Sequence, residues 1–142
     1  MICFEQVPER LAWAAEVIGV RGFRDDARMI SVLADDGRLR GVVVYDTWGA
    51  CDVSMHVASD GSARWMTREA LVHFFAFPFI QCKLRRVTAL VPSKNARALK
   101  FDRKLGFVDE GYFPHALPDD DLVALGMLRE HCRFIPKKYR HA

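Results

Sequence analysis

The feature that most constrains the fold is a single helix with a strand on each side of it. Residues 86–91 (RVTALV) are apolar or β-branched on both faces, which is typical of a strand in the middle of a sheet. Asn95 is suited to begin a helix and Gly106 to end it in the left-handed conformation, and residues 107–113 predict another strand. Because a helical crossover of this kind makes strands parallel, the chain predicts an α/β fold.

The other segments predict a mixed sheet around this crossover. Apolar residues at helical spacing predict a helix at residues 8–18, and Thr67 is expected to cap a second helix at about residues 66–77. A loop of eight residues (114–121) is expected before the last strand, and the tail IPKKYRHA is expected to be frayed. Alternating or β-branched segments predict the remaining strands, at residues 28–34, 39–48, 51–58 and 122–128.

Length and composition predict one soluble domain. The chain (1–142) has 142 residues, of which 51% are hydrophobic, and this suits one domain with one core. No apolar run is long enough to span a membrane and no signal core follows the N-terminus, so we expect a cytoplasmic protein without a membrane partner. The four cysteines lie far apart and away from histidines at ligand spacing, which predicts buried reduced thiols and no metal site.

Positive charge is distributed unevenly along the chain. The net charge is +3, yet residues 83–104 contain eight Lys or Arg residues against a single acid, Asp102. Most such segments are solvated basic faces, and the alternative is a site for nucleotide phosphate or a nucleic-acid backbone. No nucleic-acid-binding motif is present, and the nearby aromatic residues are mostly in inward-facing positions, so nucleic acid is not the expected partner.

The segment NARALKFDRKLGF resembles the motif N-x-x-A-x-x-x-Y-x-x-x-G-F of the GNAT acyltransferases, through Asn95, Ala98, Gly106 and Phe107. The resemblance covers residues 28–134 and includes EGYF and GMLREHCRF, which are similar to the branch of the ribosomal-protein N-acetyltransferases and of short phage-encoded members. It implies a central sheet of about six to seven strands flanked by helices. It also implies transfer of an acetyl group from acetyl-coenzyme A to a primary amine, and a homodimer is compatible with it.

The chain departs from the family pattern in two places, the phosphate loop and the position of the general acid. The phosphate loop of the family, Q/R-x-x-G-x-G/A, aligns with residues 62–67, where Ser62, Trp65 and Thr67 replace the usual residues. Asp102 stands where many members carry a tyrosine thought to protonate the departing thiolate, so we expect no dedicated general acid. A turn that leads into a helix N-terminus still offers backbone N–H groups and a positive dipole to a diphosphate.

The resemblance implies cofactor contacts at three places. Backbone N–H groups near Val57 and Ala58 are expected to hold pantetheine and polarise the acyl carbonyl. Trp65 either packs in the core or contacts the cofactor, and Asn95 either caps its helix alone or also contacts coenzyme A. The remaining expected contacts are in the loop and at the start of the helix that follows it (Gly61, Ser62, Ala63, Arg64, Met66 and Thr67), and at Arg103 on the helix that Asn95 begins.

The polar face of the strand at residues 51–58 carries the candidate base. Strand alternation puts Asp52, Ser54 and His56 on this face, and a histidine titrates near pH 6.5, so His56 is the preferred base, with a structural role as the alternative. Asp52 and Glu69 are further candidates. The residues expected near the acceptor are Ser54, Tyr112 and His115, beside the acidic triplet Asp119, Asp120 and Asp121, which either attracts a cationic amine or is a solvent-exposed turn.

A binding module without turnover is the competing hypothesis. The degenerate phosphate loop favours a GNAT fold that has lost activity, and the basic segment at residues 83–104 favours a nucleic-acid-binding domain. Salt separates these alternatives, because binding to a phosphate backbone weakens steeply as salt rises, whereas binding through backbone N–H groups weakens less.

Overall fold

One seven-stranded sheet, with the strand order β1-β2-β3-β4-β5-β7-β6, forms the centre of the molecule. The structure is a computed structural model that describes residues 1–141. The predicted mixed, partly antiparallel sheet of six to seven strands flanked by helices is confirmed. The strands are β1 (Ile2–Cys3), β2 (Arg28–Leu33), β3 (Leu39–Asp46), β4 (Ser54–Ser59), β5 (Arg86–Pro92), β6 (Val108–Leu117) and β7 (Asp120–Leu128), and the helices are α1 (Pro8–Ile18), α2 (Arg68–Ala76) and α3 (Ala96–Leu105).

The first half of the sheet is an antiparallel meander of β2, β3 and β4. Strand β1 pairs with the outer edge of β2 through only two residues, too few to show any periodicity, so the sequence did not predict it. Helix α1 has the predicted bounds and ends at Gly19, whose φ of 89° is left-handed. Its buried Ala14 packs on one face of the meander against Met29, Val42, Val44 and Ala58.

The main core lies on the opposite face of the sheet. Phe74 and Phe75 of α2 are each 1% exposed, and the hydroxyl of Tyr45 donates to the carbonyl of Phe74 at 2.6 Å. The tail belongs to this core, because Phe134 stacks on Phe75 with ring centroids 5.2 Å apart and Ile135 is 2% exposed. The prediction of a frayed tail is therefore wrong over the described residues.

Helix α2 begins where it was predicted to begin. The Thr67 hydroxyl accepts a hydrogen bond from the N–H of Ala70 at 3.1 Å. Pro78 does not end the helical path, since Phe77–Gln81 continues it as a wider π-helical turn.

The predicted eight-residue loop before the last strand is wrong. β6 extends to Leu117 and β7 begins at Asp120, so two residues connect them. Polar residues within the exposed hairpin hydrogen-bond to one another: the carboxylate of Asp121 accepts from the backbone N–H of His115 at 2.7 Å. These bonds allow a polar sequence to remain extended.

The sheet opens between β4 and β5. These strands are parallel, but Ser54↔Thr88 is the single residue pair that joins them within residues 1–141. Strand β4 continues to Ser59 and β5 to Pro92 without further pairing. The two strands therefore diverge towards their C-terminal ends and leave a gap in the middle of the sheet.

Strand β5 is covered on one face only. Val87 and Val91 are 0% and 7% exposed, as predicted for a central strand, whereas Leu90 on the other face is 42% exposed. Helix α1 packs on β3 and β4 and does not extend over β5, β7 and β6. We call the uncovered side of these three strands, which carries Arg86, Thr88 and Leu90, the open face.

Candidate cofactor and acceptor site

The backbone of β4 presents hydrogen-bonding groups to the gap. The N–H of Thr88 donates to the carbonyl of Val53 at 3.0 Å, so the backbone polar groups of Val53 point towards β5. Since this direction repeats at every second residue of a strand, the N–H and C=O of Val57 point the same way. Val57 lies beyond Ser54, the last residue of β4 that pairs with β5, and it is 43% exposed. These two backbone groups therefore face the gap.

In the phosphate loop, residues 59–67 between β4 and α2, several backbone N–H groups donate to acceptors within the loop itself. Ser59 Oγ accepts from the N–H of Gly61 at 3.1 Å, and a carboxylate oxygen of Asp60 accepts from the N–H of Ser62 at 3.0 Å. The N–H of Arg64 donates to Ser62 Oγ at 3.1 Å. Three of the N–H groups expected to contact a diphosphate, those of Gly61, Ser62 and Arg64, thus have partners inside the loop.

Asp60 gives the phosphate loop a negative charge of its own. The N–H of Ser62 and the guanidinium of Arg40, whose Nε lies 2.7 Å from the carboxylate, hold the pKa of Asp60 below its usual value. The loop is therefore ordered around an internal anion, which a glycine-rich loop would lack. A diphosphate has to bind beside Asp60 and not in its place.

The first turn of α2 supplies backbone N–H groups that are free to bind a diphosphate. The N–H groups of Arg68 and Glu69 begin the helix, where no intrahelical acceptor exists, and neither has a partner among residues 1–141. The helix dipole adds positive potential there, as do the exposed side chains of Arg64 and Arg68. The N–H of Met66 bonds to the carbonyl of Ala63 at 3.1 Å, so it is not free for a ligand.

Trp65 anchors the phosphate loop to the sheet. Its side chain is 4% exposed, its ring lies 6.0 Å from that of Phe74, and its indole N–H donates to Ser59 Oγ at 3.1 Å. A Cβ atom at Gly41 of β3 would lie 2.4 Å from the indole ring, so the ring occupies the space that the glycine leaves. The side chain of Trp65 therefore packs in the core, so a cofactor contact from this residue would be made by its backbone.

His56 is half-buried on the face of β4 that α1 covers, with its ring 5.5 Å from that of Phe23. Burial lowers its pKa, and the negative charge of Asp46 opposes the shift only in part. Asp46 is 7% exposed and accepts from the N–H of Thr47 at 2.8 Å. His56 is therefore mainly neutral at pH 7 and able to accept a proton.

Sequence reasoning missed Asp46. The register of β3 and β4 pairs it with Ser54 and pairs Val44 with His56, so all four residues share one face. The signal that could have found it is the antiparallel meander itself, because counting back from the turn at Gly49 puts Asp46 beside the polar face of β4.

The other two candidate bases do not converge with His56. Asp52 accepts from the hydroxyl of Thr88 at 2.8 Å and lies 3.5 Å from Nε of Arg86, so its carboxylate is held in a polar cluster. Glu69 is exposed in the first turn of α2, on the opposite side of the sheet. His56 stays the preferred base, because burial favours its neutral form and it lies on the strand next to the gap.

Asp102 departs most from the sequence-based expectation, which was that the protein has no dedicated general acid. Burial raises its pKa from 3.8 to about 6. It lies on α3 one turn after Leu99, which packs in the same core as Phe74 of α2. A carboxyl group with this pKa keeps part of its population protonated near neutral pH, so the fold contains an acid that the sequence did not lead us to expect.

Asn95 and Arg103, the two residues of the α3 region that were predicted to contact the cofactor, already make hydrogen bonds within the protein. Oδ1 of Asn95 accepts from the N–H of Ala98 at 3.2 Å, as a helix cap should, and Gly106 ends the helix at a φ of 118°. The guanidinium of Arg103 makes two hydrogen bonds to the carboxylate of Asp109, at 2.9 and 2.8 Å. Arg103 would have to leave this pair to bind a phosphate.

The predicted acceptor residues fall into two places. Ser54 is next to the gap and shares a face with His56. Tyr112 and His115 are on the edge strand β6, and β5 and β7 lie between it and β4. At a strand spacing of about 4.8 Å, the two strands are about 14 Å apart.

The acidic triplet supports the hairpin and its neighbours. The carboxylate of Asp120 accepts from Ser93 Oγ at 2.5 Å and from the N–H of Lys94 at 3.0 Å, and Asp121 accepts from the hydroxyl of Tyr112. These hydrogen bonds link the β5–α3 turn to the β6–β7 turn. Asp120 and Asp121 thus lie in a solvent-accessible turn, as the second alternative has it, and their carboxylates are in addition hydrogen-bonded within the protein.

The cysteines are free, and their burial differs from the prediction. Cys132 is 0% exposed, but Cys51 is exposed and the other two are intermediate. Within residues 1–141 no group of three potential His, Cys, Asp or Glu ligands is close enough to hold a metal ion. None of the helices in that range is both long and apolar enough to cross a bilayer.

No protein-family model matches the chain, and no curated protein matches it either. Solved structures do match. A spermidine N-acetyltransferase from Vibrio cholerae superimposes with a TM-score of 0.75 at 12% identity, over 97% of this chain and 97% of that one. A second structure of that enzyme gives 0.67 at 15% identity over 80% and 71%, and one described as dodecameric gives 0.65 at 16% identity over 73% and 66%. The chain has the GNAT fold.

The GNAT fold agrees with the strand order and the mixed sheet described above. At 12–16% identity the matches establish the architecture, and they carry no residue roles with them. The narrower resemblance, to the branch of the ribosomal-protein N-acetyltransferases, stays a prediction.

Proposed function

We propose that this protein is a cytoplasmic N-acetyltransferase that transfers the acetyl group of acetyl-coenzyme A to a primary amine. One observation carries the proposal: the gap between β4 and β5, into which the backbone N–H and C=O of Val57 point. Acyl transfer needs a held acyl chain and a donor at the carbonyl where negative charge develops, and fixed backbone groups can supply both.

The residues around the gap fit acetyl-coenzyme A. The amide groups of a pantetheine arm are complementary to the free N–H and C=O of Val57, much as one strand is to another. The N–H groups of Arg68 and Glu69, with the charge of Arg64, would hold the diphosphate at the start of α2. When bound, the cofactor supplies an activated thioester. The anion of Asp60 weakens the fit of the diphosphate without blocking it.

His56 is the group that accepts the proton of the attacking amine. Its lowered pKa keeps the ring neutral at pH 7, and it lies on the strand whose backbone faces the gap. The buried carboxylate of Asp46 stabilises the imidazolium that forms when the proton arrives.

Asp102 is the group that donates a proton to the departing thiolate. A thiol has a pKa of about 8.5, so a carboxyl group with a pKa of about 6 is a sufficiently strong acid. The two proton carriers lie on opposite sides of the sheet.

A cationic amine is the acceptor favoured by the charges beside His56. Asp46, Asp52 and Glu110 lie on this side of the sheet, where Arg86 forms ion pairs with Asp52 and Glu110. The matched solved structures are named as spermidine N-acetyltransferases, and spermidine is one such amine. We also propose self-association, since one of those structures is described as dodecameric and the open face is uncovered here.

The test measures free thiol released from acetyl-coenzyme A with spermidine, lysine-containing peptides and free peptide N-termini as acceptors. We expect release that depends on one of these amines. Val57→Pro removes the N–H that faces the gap and should lose both cofactor affinity and turnover, whereas Val57→Ala should retain them. A folded Val57→Pro protein as active as Val57→Ala would contradict the proposed site. Cofactor binding without release for any amine would favour a GNAT-fold module that has lost turnover.

A further inference from the structure

A second concavity lies at the other end of the sheet from the gap. It has a volume of about 390 Å³ and is lined by Arg85, Arg86, Arg129, Arg140, Cys51 and Glu130. The gap opens towards the C-terminal ends of β4 and β5, whereas Cys51 precedes β4 and Arg86 begins β5. This arginine pocket, defined by its four arginines, is therefore separate from the proposed cofactor site.

The four arginines that line the pocket come from three distant segments of the chain. Arg85 and Arg86 are at the start of β5, Arg129 follows β7, and Arg140 is in the tail. Convergence of this kind is costly, because like charges repel one another at short range. Among the lining residues within 1–141, Glu130 is the one carboxylate, so these residues carry an excess of positive charge.

The arginines differ in how far protein partners already satisfy them. Arg86 is paired with Glu110 at 2.5 Å and lies 3.5 Å from Asp52. Arg140 donates from Nη2 to the carbonyl of Ile135 at 3.1 Å, but its Nε is buried and has no hydrogen-bond partner among residues 1–141. A buried charged donor without a protein acceptor is unfavourable, so an anion or a water bound there would stabilise it.

Arg85 contributes a side chain that the fold does not use. It is exposed, and its guanidinium makes no hydrogen bond or ion pair within the described part of the chain, while its backbone N–H donates to the carbonyl of Cys51 at 3.0 Å. The backbone of Arg85 is thus fixed by the sheet and its charge is left at the mouth of the pocket.

We propose that the arginine pocket is a binding site for a phosphate-type anion. Planar guanidinium groups match the oxygen spacing of phosphate and bind it through paired hydrogen bonds, and the unsatisfied Nε of Arg140 is the inner donor of such a site. The site explains why part of the basic segment at residues 83–104 is concentrated at one end of β5. Arg86 also pairs with Asp52 and Glu110 on the proposed acceptor side, but Arg85, Arg129 and Arg140 lie at the end of the sheet away from the gap, so the site does not depend on acetyl transfer.

The shared chemistry is the phosphate group, whether free or carried by a larger ligand. Inorganic phosphate, methyl phosphate and pyrophosphate are therefore titrated separately into ¹⁵N-labelled protein, with sodium chloride at equal ionic strength as the control. We expect saturable amide shifts at Arg85, Arg86 and Arg140. Stronger binding of methyl phosphate points to an esterified ligand, and stronger binding of pyrophosphate to a diphosphate.

Matched variants test the assignment to these side chains. Arg85→Ala removes a charge that supports no contact, so it should fold and bind the tightest anion at least fivefold more weakly. Arg97→Ala removes an exposed arginine at the other end of β5 and should leave the affinity unchanged. Arg140→Lys keeps the charge but removes Nε and should also weaken binding. Shifts that chloride reproduces, or equal affinities for Arg85→Ala and Arg97→Ala, would overturn the proposal.

Discussion

His56 and Asp102 are both partly withdrawn from water, and the same physical effect favours the neutral form of each. For a histidine this lowers the pKa and leaves a free base, and for a carboxyl group it raises the pKa and leaves an acid. The sequence pointed to His56 through strand alternation. It could not point to Asp102, since the pKa of a residue on an amphipathic helix depends on what the tertiary fold packs around it.

For His56 we predict the effect of substitution on turnover. His56→Gln should keep the affinity for acetyl-coenzyme A and lower kcat by about a hundredfold or more, the usual contribution of a general base. The loss should shrink at high pH, where solvent deprotonates the amine. The measurement is a pH–rate profile of parent and variant, with His131→Gln, which changes an exposed histidine, as the control. A parent-like profile for His56→Gln would reduce the residue to a structural role.

For Asp102 we predict a stability difference that depends on pH. Below pH 3.8 the carboxyl is protonated in both folded and unfolded chains, so its ionisation costs nothing. As pH rises, the unfolded chain loses this proton first, and the folded protein is destabilised progressively until about pH 6. Asp102→Asn should therefore match the parent in acid and be more stable at pH 7, by up to about 3 kcal/mol at about 1.36 kcal/mol per unit of pKa.

Denaturant unfolding at pH 3.5, 5 and 7 measures this difference. Asp35→Asn, at an exposed position in the β2–β3 turn, is the matched control and should show no such trend. If Asp102→Asn is less stable than the parent at pH 7, the carboxylate is stabilising in its charged form and cannot be the proposed acid.

At the scale of elements, the phosphate loop is positioned by a glycine and a tryptophan that are 24 positions apart in the chain. Gly41 makes room in β3 for the ring of Trp65, and Trp65 and Ser59 together fix the loop above the strand. The sequence predicted the helix cap at Thr67 because caps depend on local residue types. It left the role of Trp65 open, since a contact across the sheet has no local pattern.

Substitution of Gly41 tests this coupling. Gly41→Ala would place a Cβ 2.4 Å from the indole ring, so Trp65 must move and the loop with it. We expect a loss of about 1–3 kcal/mol in unfolding free energy together with weaker binding of acetyl-coenzyme A. Gly22→Ala is the matched control, because a Cβ there meets nothing within 4 Å. A stable Gly41→Ala protein with unchanged affinity would show that the ring does not position the loop.

At the scale of the whole molecule, the α/β class and the helical crossover were predictable, but the gap was not. Periodicity identifies strands, and the well-capped α3 fixed the α/β class. Whether two neighbouring parallel strands pair along their whole length or at one residue, as with Ser54 and Thr88, depends on how the helices on each side tilt them. The arginine pocket was not predictable either, because its lining residues are far apart in sequence and come together only in the fold, at the other end of the sheet.

The most direct test of the central claim is an amide chemical-shift map of ¹⁵N-labelled protein titrated with acetyl-coenzyme A. If the cofactor lies in the gap, saturable shifts should appear at Val57 in β4 and at Arg68 and Glu69 in the first turn of α2, at lower cofactor concentrations than any shift at Arg85 and Arg140. Shifts confined to the arginine pocket, or none at millimolar acetyl-coenzyme A, would contradict the account.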